Sequence, residues 1–185
     1  GISELRTFWV GVLPERGEEE PNGSLAQAQT VPLDVTLAGR IRREDTDWFA
    51  FAGKEGERVT AELVAMRLGD VTFDASLKLL DAERFELASS DDTAFAGQDP
   101  VLSAVLPRAG TYYLVLRESS FGGNDAFHYR LHLGHFPRPS VSFPPGGVPG
   151  ESVRLEFLGD AAGVSSQTFT LPRAGPDGIA HLFPT

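Results

Sequence analysis

Hydrophobic residues alternate with polar ones along almost every regular segment of this chain. Residues 58–66, 111–117 and 126–133 each place every second side chain on an apolar face. A period of two is that of half-buried antiparallel strands. Turn-forming residues separate such segments at intervals of roughly 10–15 residues, which favours an all-β sandwich. One short segment, Ser24–Thr30, predicts a single helical turn capped by Ser24.

The composition changes after Phe136, where two Pro- and Gly-rich stretches follow each other. Strand-like segments occur again at 152–158 and 167–171. The second region is either the first part of another β domain or a strand pair docked on the first. We therefore predict three regions: a lead-in strand or linker at 1–17, an antiparallel β-sandwich at 18–136, and a linker with an incomplete, immunoglobulin-like β segment at 137–185.

Charge and composition exclude several classes of function. The formal net charge of −10 disfavours nucleic-acid binding, which needs a basic surface, and suits divalent cations better. The absence of Cys excludes disulfides, Cys-ligated zinc and a thiol nucleophile. No apolar run approaches the ~18 residues that predict a membrane span, and no catalytic or phosphate-binding motif is present. Because the chain begins with Gly1, we interpret it as a piece of a longer protein.

A set of short motifs, in a fixed order, resembles one protein family. The motifs occupy 18–22 followed by 24–30, 39–41 leading into 45–51, 74–81, 87–92, 110–116 and 129–131. Over about residues 18–135 this set resembles the bacterial pre-peptidase C-terminal (PPC) domain. The resemblance implies a sandwich of jelly-roll type that is a non-catalytic appendage of secreted proteases and other extracellular proteins. It also implies relatives in collagenases that bind collagen and carry calcium near their N-terminal linker.

Two pairs of carboxylates form a candidate metal site. Glu18 and Glu20 lie on one face of an extended segment, and Asn22 continues that face. Asp45 and Asp47 are spaced in the same way before an apolar strand. If the two segments lie side by side, these five residues offer the hard oxygens that Ca²⁺ prefers, and the pattern resembles the calcium-bearing relatives at the same positions. The alternative is a solvated acidic linker followed by turn aspartates.

Polar residues on one predicted strand form a candidate partner-binding surface. His128, Arg130 and His132 share a strand face, with the two histidines too far apart to hold one metal. We expect a polar outer face, with Tyr113 as a further candidate contact for a partner.

The large aromatic residues are expected to be mostly core. We expect Trp9, Trp48 and Phe49 to fill the interior, which leaves Tyr113 and Phe121 as candidates for an exposed sugar-binding platform.

Together these features predict a non-enzymatic accessory module of a secreted, periplasmic or cell-surface bacterial protein. Its role would be stabilisation, spacing, or binding of substrate or matrix, with Ca²⁺ as the expected cofactor. Its expected partners are the flanking domains of a larger parent protein and an extracellular protein or polysaccharide, but no nucleic acid. The alternatives are a carbohydrate- or protein-binding adhesion module and part of a secreted hydrolase.

Overall fold

A computed structural model of the 185-residue chain describes residues 9–69, 72–94 and 96–173. The chain divides into two compact units, Gly1–Phe136 and Pro137–Thr185. The strands of the first unit are β1 (Glu15–Gly17), β2 (Gln29–Thr30), β3 (Val35–Arg40), β4 (Thr46–Gly53), β5 (Arg58–Val64), β6 (Ala75–Leu80), β7 (Glu86–Ser90), β8 (Val101–Val105), β9 (Gly110–Glu118) and β10 (His128–Gly134). Two single-turn 3₁₀ helices, Leu25–Gln27 and Met66–Leu68, lie between strands.

Two five-stranded sheets form the first unit. Sheet 1 has the strand order β1-β3-β10-β5-β8, and sheet 2 has the order β2-β4-β9-β6-β7. Neighbouring strands are antiparallel, except that the short edge strands β1 and β2 run parallel to β3 and β4. The prediction of an all-β sandwich is therefore confirmed. Within the described residues no helix has the length and apolar character needed to cross a bilayer.

The core lies between the two sheets and follows the period of two. Every second residue of β4 is buried, including Phe49 and Phe51, and the same holds for Leu114 and Leu116 of β9. Leu131 of β10 meets them from sheet 1. Burial of side chains of this size contributes roughly 1.5–3 kcal/mol each, so the inward faces of the central strands provide most of the drive to fold.

The second unit is a three-stranded antiparallel sheet in the order β11-β12-β13. Its strands are β11 (Val141–Phe143), β12 (Ser152–Leu158) and β13 (Ser165–Thr170). The rings of Phe157 and Phe169 meet edge to face across this sheet at 6.3 Å between centroids. This sheet is the partial C-terminal β segment that the sequence predicts.

Local expectations near the N-terminus differ from the structure. The lead-in strand or linker predicted at 1–17 has no strand over residues 9–14, and the strand of this region is β1, which is an edge strand of the sandwich. The helical turn of the 24–30 segment is present, but Ser24 does not cap it. The Ser24 hydroxyl instead donates to the Gln27 side chain at 2.8 Å.

The expectation that Trp48 fills the core is wrong. Trp48 and Phe49 are adjacent on β4, so their side chains point to opposite faces of sheet 2. Phe49 is fully buried, whereas Trp48 lies on the outer face and is partly exposed.

Candidate metal centre

The acidic segment after β1 crosses from one sheet to the other at the edge of the sandwich. β1 is an edge strand of sheet 1 and β2 is an edge strand of sheet 2, and residues 18–28 connect them. Asp47 lies two residues before Phe49 on β4, so its side chain points to the same face and into the interior. Tyr129 of β10 faces the interior from the opposite sheet. The connecting segment thus meets inward-facing groups from both sheets.

Three carboxyl groups converge at this edge. One oxygen each of Glu18, Glu20 and Asp47 lie within 4.8 Å of one another. Glu20 is exposed, Glu18 is half-buried, and Asp47 has no solvent exposure. The structure therefore brings together three of the five predicted metal ligands, and it places them along a gradient from solvent to interior.

Tyr129 joins the group from sheet 1. Its hydroxyl lies at hydrogen-bond distance from Glu18 Oε2, at 2.9 Å, and makes a shorter contact with Asp47 Oδ2. The backbone N–H of Arg40 also donates to Glu18 Oε2, at 2.8 Å. A phenol has one proton and can donate to only one carboxylate at a time. The other contact therefore needs a proton on the carboxyl group.

Burial and mutual repulsion raise the pKa values of these acids. The pKa of Asp47 rises to about 8, chiefly because burial disfavours its charged form, with further contributions from the charges of Glu18, Asp45 and Glu20. Burial also raises the pKa of Glu18 and moves that of Tyr129 well above its usual range. The group therefore holds either a proton or a cation at neutral pH.

Asn22 lies beside the carboxylates and is fully buried. Its N–H donates to Glu20 Oε2 at 3.0 Å, and its carbonyl accepts from the N–H of Trp48 at 3.0 Å. Both of its side-chain polar atoms lack a hydrogen-bond partner among the described residues, as does Oδ1 of Asp47. Burying polar atoms without partners is costly, so the amide oxygen of Asn22 and the free carboxylate oxygen of Asp47 are available to a further hydrogen-bonding or ionic partner.

Asp45, the fifth predicted ligand, lies next to the group of three rather than in it. Its two carboxylate oxygens accept from the N–H groups of Arg42, at 3.3 Å, and Thr46, at 2.9 Å, in the turn before β4. Its charge still raises the pKa values of Glu18 and Asp47. Asp45 therefore shapes the site electrostatically and holds the turn that presents Asp47.

Gly39 provides the space in which these groups meet. A Cβ at this position would overlap Glu18 Oε2 and the ring and hydroxyl of Tyr129. Sequence reasoning missed both Gly39 and Tyr129, because each acts through neighbours that are distant in the chain. The motif residues Gly39–Ile41 and Tyr129–Leu131 are the signal that could have found them.

The ligand set determines what this centre can bind. Carboxylate and amide oxygens are hard ligands, and their irregular arrangement suits Ca²⁺ better than Mg²⁺, which demands near-ideal octahedral geometry. The residues fit such an ion in type, since they offer three carboxylates and a neighbouring amide oxygen. Ca²⁺ takes about six to eight oxygens, so the remaining ligands would have to come from solvent on the exposed Glu20 side.

The predicted partner-binding residues do not form one surface. His128, Arg130 and His132 lie on β10 of sheet 1, whereas Tyr113 lies on β9 of sheet 2. Arg130 binds Glu15 at 2.8 Å, and the ring of His132 is bonded to Thr36 at 2.8 Å. Burial lowers the pKa of His132. Of the three residues on β10, His128 is exposed, whereas Arg130 and His132 are half-buried.

Comparisons with known proteins relate part of this chain to one protein family. Residues 45–118 match the family model described as the bacterial pre-peptidase C-terminal domain. The resemblance seen in the sequence is confirmed over residues 45–118, which match the model of this family.

One curated relative is a probable subtilase-type serine protease of Deinococcus radiodurans, 35% identical over an alignment of 116 residues that covers 58% of this chain. The match spans 15% of the length of that relative.

Two solved structures have similar folds. One is the pre-peptidase C-terminal domain of collagenase from Bacillus anthracis, with a TM-score of 0.47, 16% identity, and coverage of 57% of this chain and 93% of that one. The other is a periplasmic inhibitor of g-type lysozyme from Aeromonas hydrophila, with a TM-score of 0.42, 16% identity, and coverage of 57% and 96%.

Proposed function

We propose that this chain is a non-catalytic accessory module of a larger secreted, periplasmic or cell-surface bacterial protein, and that a Ca²⁺ ion fixes its N-terminal linker to the sandwich. The ligands would be Glu18, Glu20 and Asp47 with the side-chain oxygen of Asn22. Asp45 would act from the adjacent turn. The parent protein's other domains are the expected partners of the module.

The observation that carries this proposal is the buried Asp47. Its carboxylate has an unpaired oxygen and lies within 4.8 Å of two further carboxylates, with no cationic side chain hydrogen-bonded to it in the described part of the chain. A dication here would offset both the burial and the repulsion between carboxylates that raise the pKa of Asp47.

The position of the site gives the ion a mechanical role. Asp47 belongs to sheet 2, Tyr129 to sheet 1, and Glu18 and Glu20 to the segment that joins the two edges. An ion bound by these groups would tie both sheets to the incoming chain. A module fixed in this way would hold its neighbouring domain at a defined distance, which is the use expected of a spacer or stabilising domain.

Thermal unfolding with and without Ca²⁺ tests the proposal. We expect millimolar Ca²⁺ to raise the Tm relative to EDTA, since an ion at 100 times its Kd adds about 2.7 kcal/mol, and we expect Mg²⁺ to have a smaller effect. Glu20→Gln should weaken the response, because it removes a ligand at the exposed side of the site. Glu55→Gln, at an exposed turn position, is the matched control. An unchanged Tm in wild-type protein would contradict the calcium site.

A further inference from the structure

The outer face of sheet 2 carries an aromatic and cationic surface. Residues that pair across β4, β9 and β6 form three rows: Thr46 with Arg117 and Ser76, Trp48 with Val115 and Lys78, and Ala50 with Tyr113 and Leu80. Their neighbours along each strand are core residues, so these side chains face outward. We call the set Trp48, Tyr113, Lys78 and Arg117, with the adjoining Phe121, the outer platform.

Three aromatic rings belong to the outer platform. Trp48 and Tyr113 are partly exposed and meet edge to face, with 6.3 Å between ring centroids. Phe121 is 50% exposed, and the guanidinium carbon of Arg117 lies 4.4 Å from its ring centroid. Exposed aromatic faces carry a negative quadrupole that attracts polarised C–H groups, and the faces of sugar rings present such groups.

The charge of the outer platform is opposite to that of the chain. The chain has a formal net charge of −10, yet the cations here are Lys78 and Arg117. Lys78 forms an exposed pair with Glu86 at 3.0 Å, which contributes little and can exchange partners. Arg117 is paired with no carboxylate in the described part of the chain, and its guanidinium is held in place by the Phe121 ring. These two cations complement an acidic ligand.

A polar groove of about 260 Å³ adjoins the two cations. It is lined by Lys78, Arg117, Asp91 and Leu77 and by three serines, Ser76, Ser89 and Ser90. The Ser76 hydroxyl is buried, whereas the Ser89 and Ser90 hydroxyls bond to Glu86 and Thr93. Hydroxyls both donate and accept hydrogen bonds, which matches the hydroxyl groups of a sugar.

An extended polypeptide fits this face less well. β4, β9 and β6 are interior strands of sheet 2, so their backbone groups are already paired and cannot add a peptide strand. Recognition must therefore use side chains only, and those available are aromatic, cationic and hydroxylic.

We propose that the outer platform binds an acidic polysaccharide, with sugar rings against Trp48 and Tyr113 and the polymer's carboxylates at Lys78 and Arg117. The site does not involve the calcium centre, because its residues lie on the opposite face of sheet 2 from Asp47.

Affinity electrophoresis of the full chain tests the proposal with polymers that differ in charge. Carboxymethyl cellulose and hyaluronan are the acidic probes, hydroxyethyl cellulose is the neutral probe on the same cellulose backbone, and gelatin is the polypeptide probe. We expect retardation by an acidic polymer at low salt, weaker retardation at high salt, and none by the neutral polymer or gelatin.

Two substitutions and their controls locate the site. Tyr113→Ala and Arg117→Gln should each reduce the affinity for the acidic polymer at least tenfold while leaving the Tm response to Ca²⁺ intact. Phe143→Ala removes an exposed ring, and Arg154→Gln an exposed cation, from the second unit; neither should change binding. Unfolding curves of all four variants report whether each is folded. If Tyr113→Ala is unfolded, Lys78→Gln replaces it as the second variant of the outer platform.

The proposal is overturned if neither acidic polymer retards the protein, if the neutral polymer retards it equally, if gelatin alone does so, or if the platform variants bind like the wild type. Binding that survives in a variant without a calcium response would support the outer platform even if the calcium site fails.

Discussion

Two buried acidic clusters of the first unit solve the same electrostatic problem in different ways. In one, Arg67 lies between Asp99 and Glu62, with Nε 2.7 Å from Asp99 Oδ2 and Nη2 3.0 Å from Glu62 Oε1. In the other, Asp47 meets Glu18 and Glu20 with the hydroxyl of Tyr129 as its hydrogen-bond donor. The first cluster contains its own cation, whereas no cationic side chain of the described residues is hydrogen-bonded to the carboxylates of the second.

The two clusters differ in how the charge of the buried aspartate is compensated. The Asp99 carboxylate accepts two backbone N–H groups, from Met66 and Arg67, as well as the Arg67 side chain. Asp47 retains an unpaired oxygen, and its pKa rises to about 8. Near neutral pH, the ion pair of Arg67 with Asp99 does not depend on the pH or on dissolved ions. The protonation of the cluster around Asp47, by contrast, changes with pH and with the cations in solution. The second cluster is therefore the one for which we propose a bound ion.

Removal of the internal cation should give the largest effect. Arg67→Met leaves Asp99 and Glu62 buried without compensation, and we expect a loss of about 3–5 kcal/mol in urea unfolding. Ca²⁺ should not restore this loss, because the cluster is separate from the calcium centre. Lys78→Met breaks an exposed ion pair and should cost about 0–1 kcal/mol. Equal losses of stability in the two variants would show that Arg67 contributes no more to stability than an exposed ion pair does.

The same isosteric substitution should act with opposite sign in the two clusters. In EDTA at pH 8, Asp47→Asn removes an unfavourable buried charge, and we expect a gain on the order of 1 kcal/mol together with loss of the calcium response. Asp99→Asn weakens the pair with Arg67 and should destabilise the protein. Urea unfolding of both variants measures the sign of each change in the free energy of unfolding. Destabilisation by Asp47→Asn in EDTA would show that the charge of Asp47 is already compensated in the metal-free protein.

Filling the proposed calcium site with a methyl group tests the role of its geometry without changing any charge. Gly39→Ala places a methyl group where Glu18 and Tyr129 meet, and overpacking of this kind costs about 1–3 kcal/mol. We expect the calcium-induced rise in Tm to disappear as well. Gly17→Ala lies beside Glu18 with nothing within 4 Å of the added Cβ, and it should behave like the wild type. A full calcium response in Gly39→Ala would remove Glu18 from the site.

The pH dependence of the metal-free protein should give the most gradual effect. Folding raises the pKa of Asp47 from 3.8 to about 8, so the folded state binds this proton more tightly than the unfolded state. The associated stability is present below about pH 4 and is lost as the pH rises towards 8, by at most about 1.4 kcal/mol per pH unit for one group. Urea unfolding in EDTA across this window measures the slope, which should be smaller with Ca²⁺ and in Asp47→Asn. A rising stability would contradict the raised pKa.

Local patterns predicted most of the strands of this protein. The period of two placed a strand at 152–158, where β12 lies, and it placed Tyr129, Leu131 and Leu133 on the buried face of β10. These patterns can be recognised from neighbouring residues alone, because alternation within one strand shows which of its side chains share a face. The same rule, applied strictly, shows that Trp48 and Phe49 cannot both be core.

The candidate site was predicted only in part, because its geometry depends on contacts distant in the chain. The spacing of Glu18, Glu20 and Asp47 marked them as ligands. No spacing indicates that Tyr129, 82 residues after Asp47, approaches it from the other sheet. Asp45 and Asp47 look equivalent in the sequence, but the turn before β4 takes up the Asp45 oxygens.

Calorimetric titration of the wild-type chain with Ca²⁺ at pH 8 tests the central claim most directly, namely that the acidic group at the edge of the two sheets is completed by a dication. We predict one binding event per chain, in which the ion displaces the proton from Asp47. The observed heat should therefore differ between buffers of different ionisation heat. The event should be absent in Asp47→Asn. No heat beyond dilution at millimolar Ca²⁺, or identical binding by Asp47→Asn, would contradict the account.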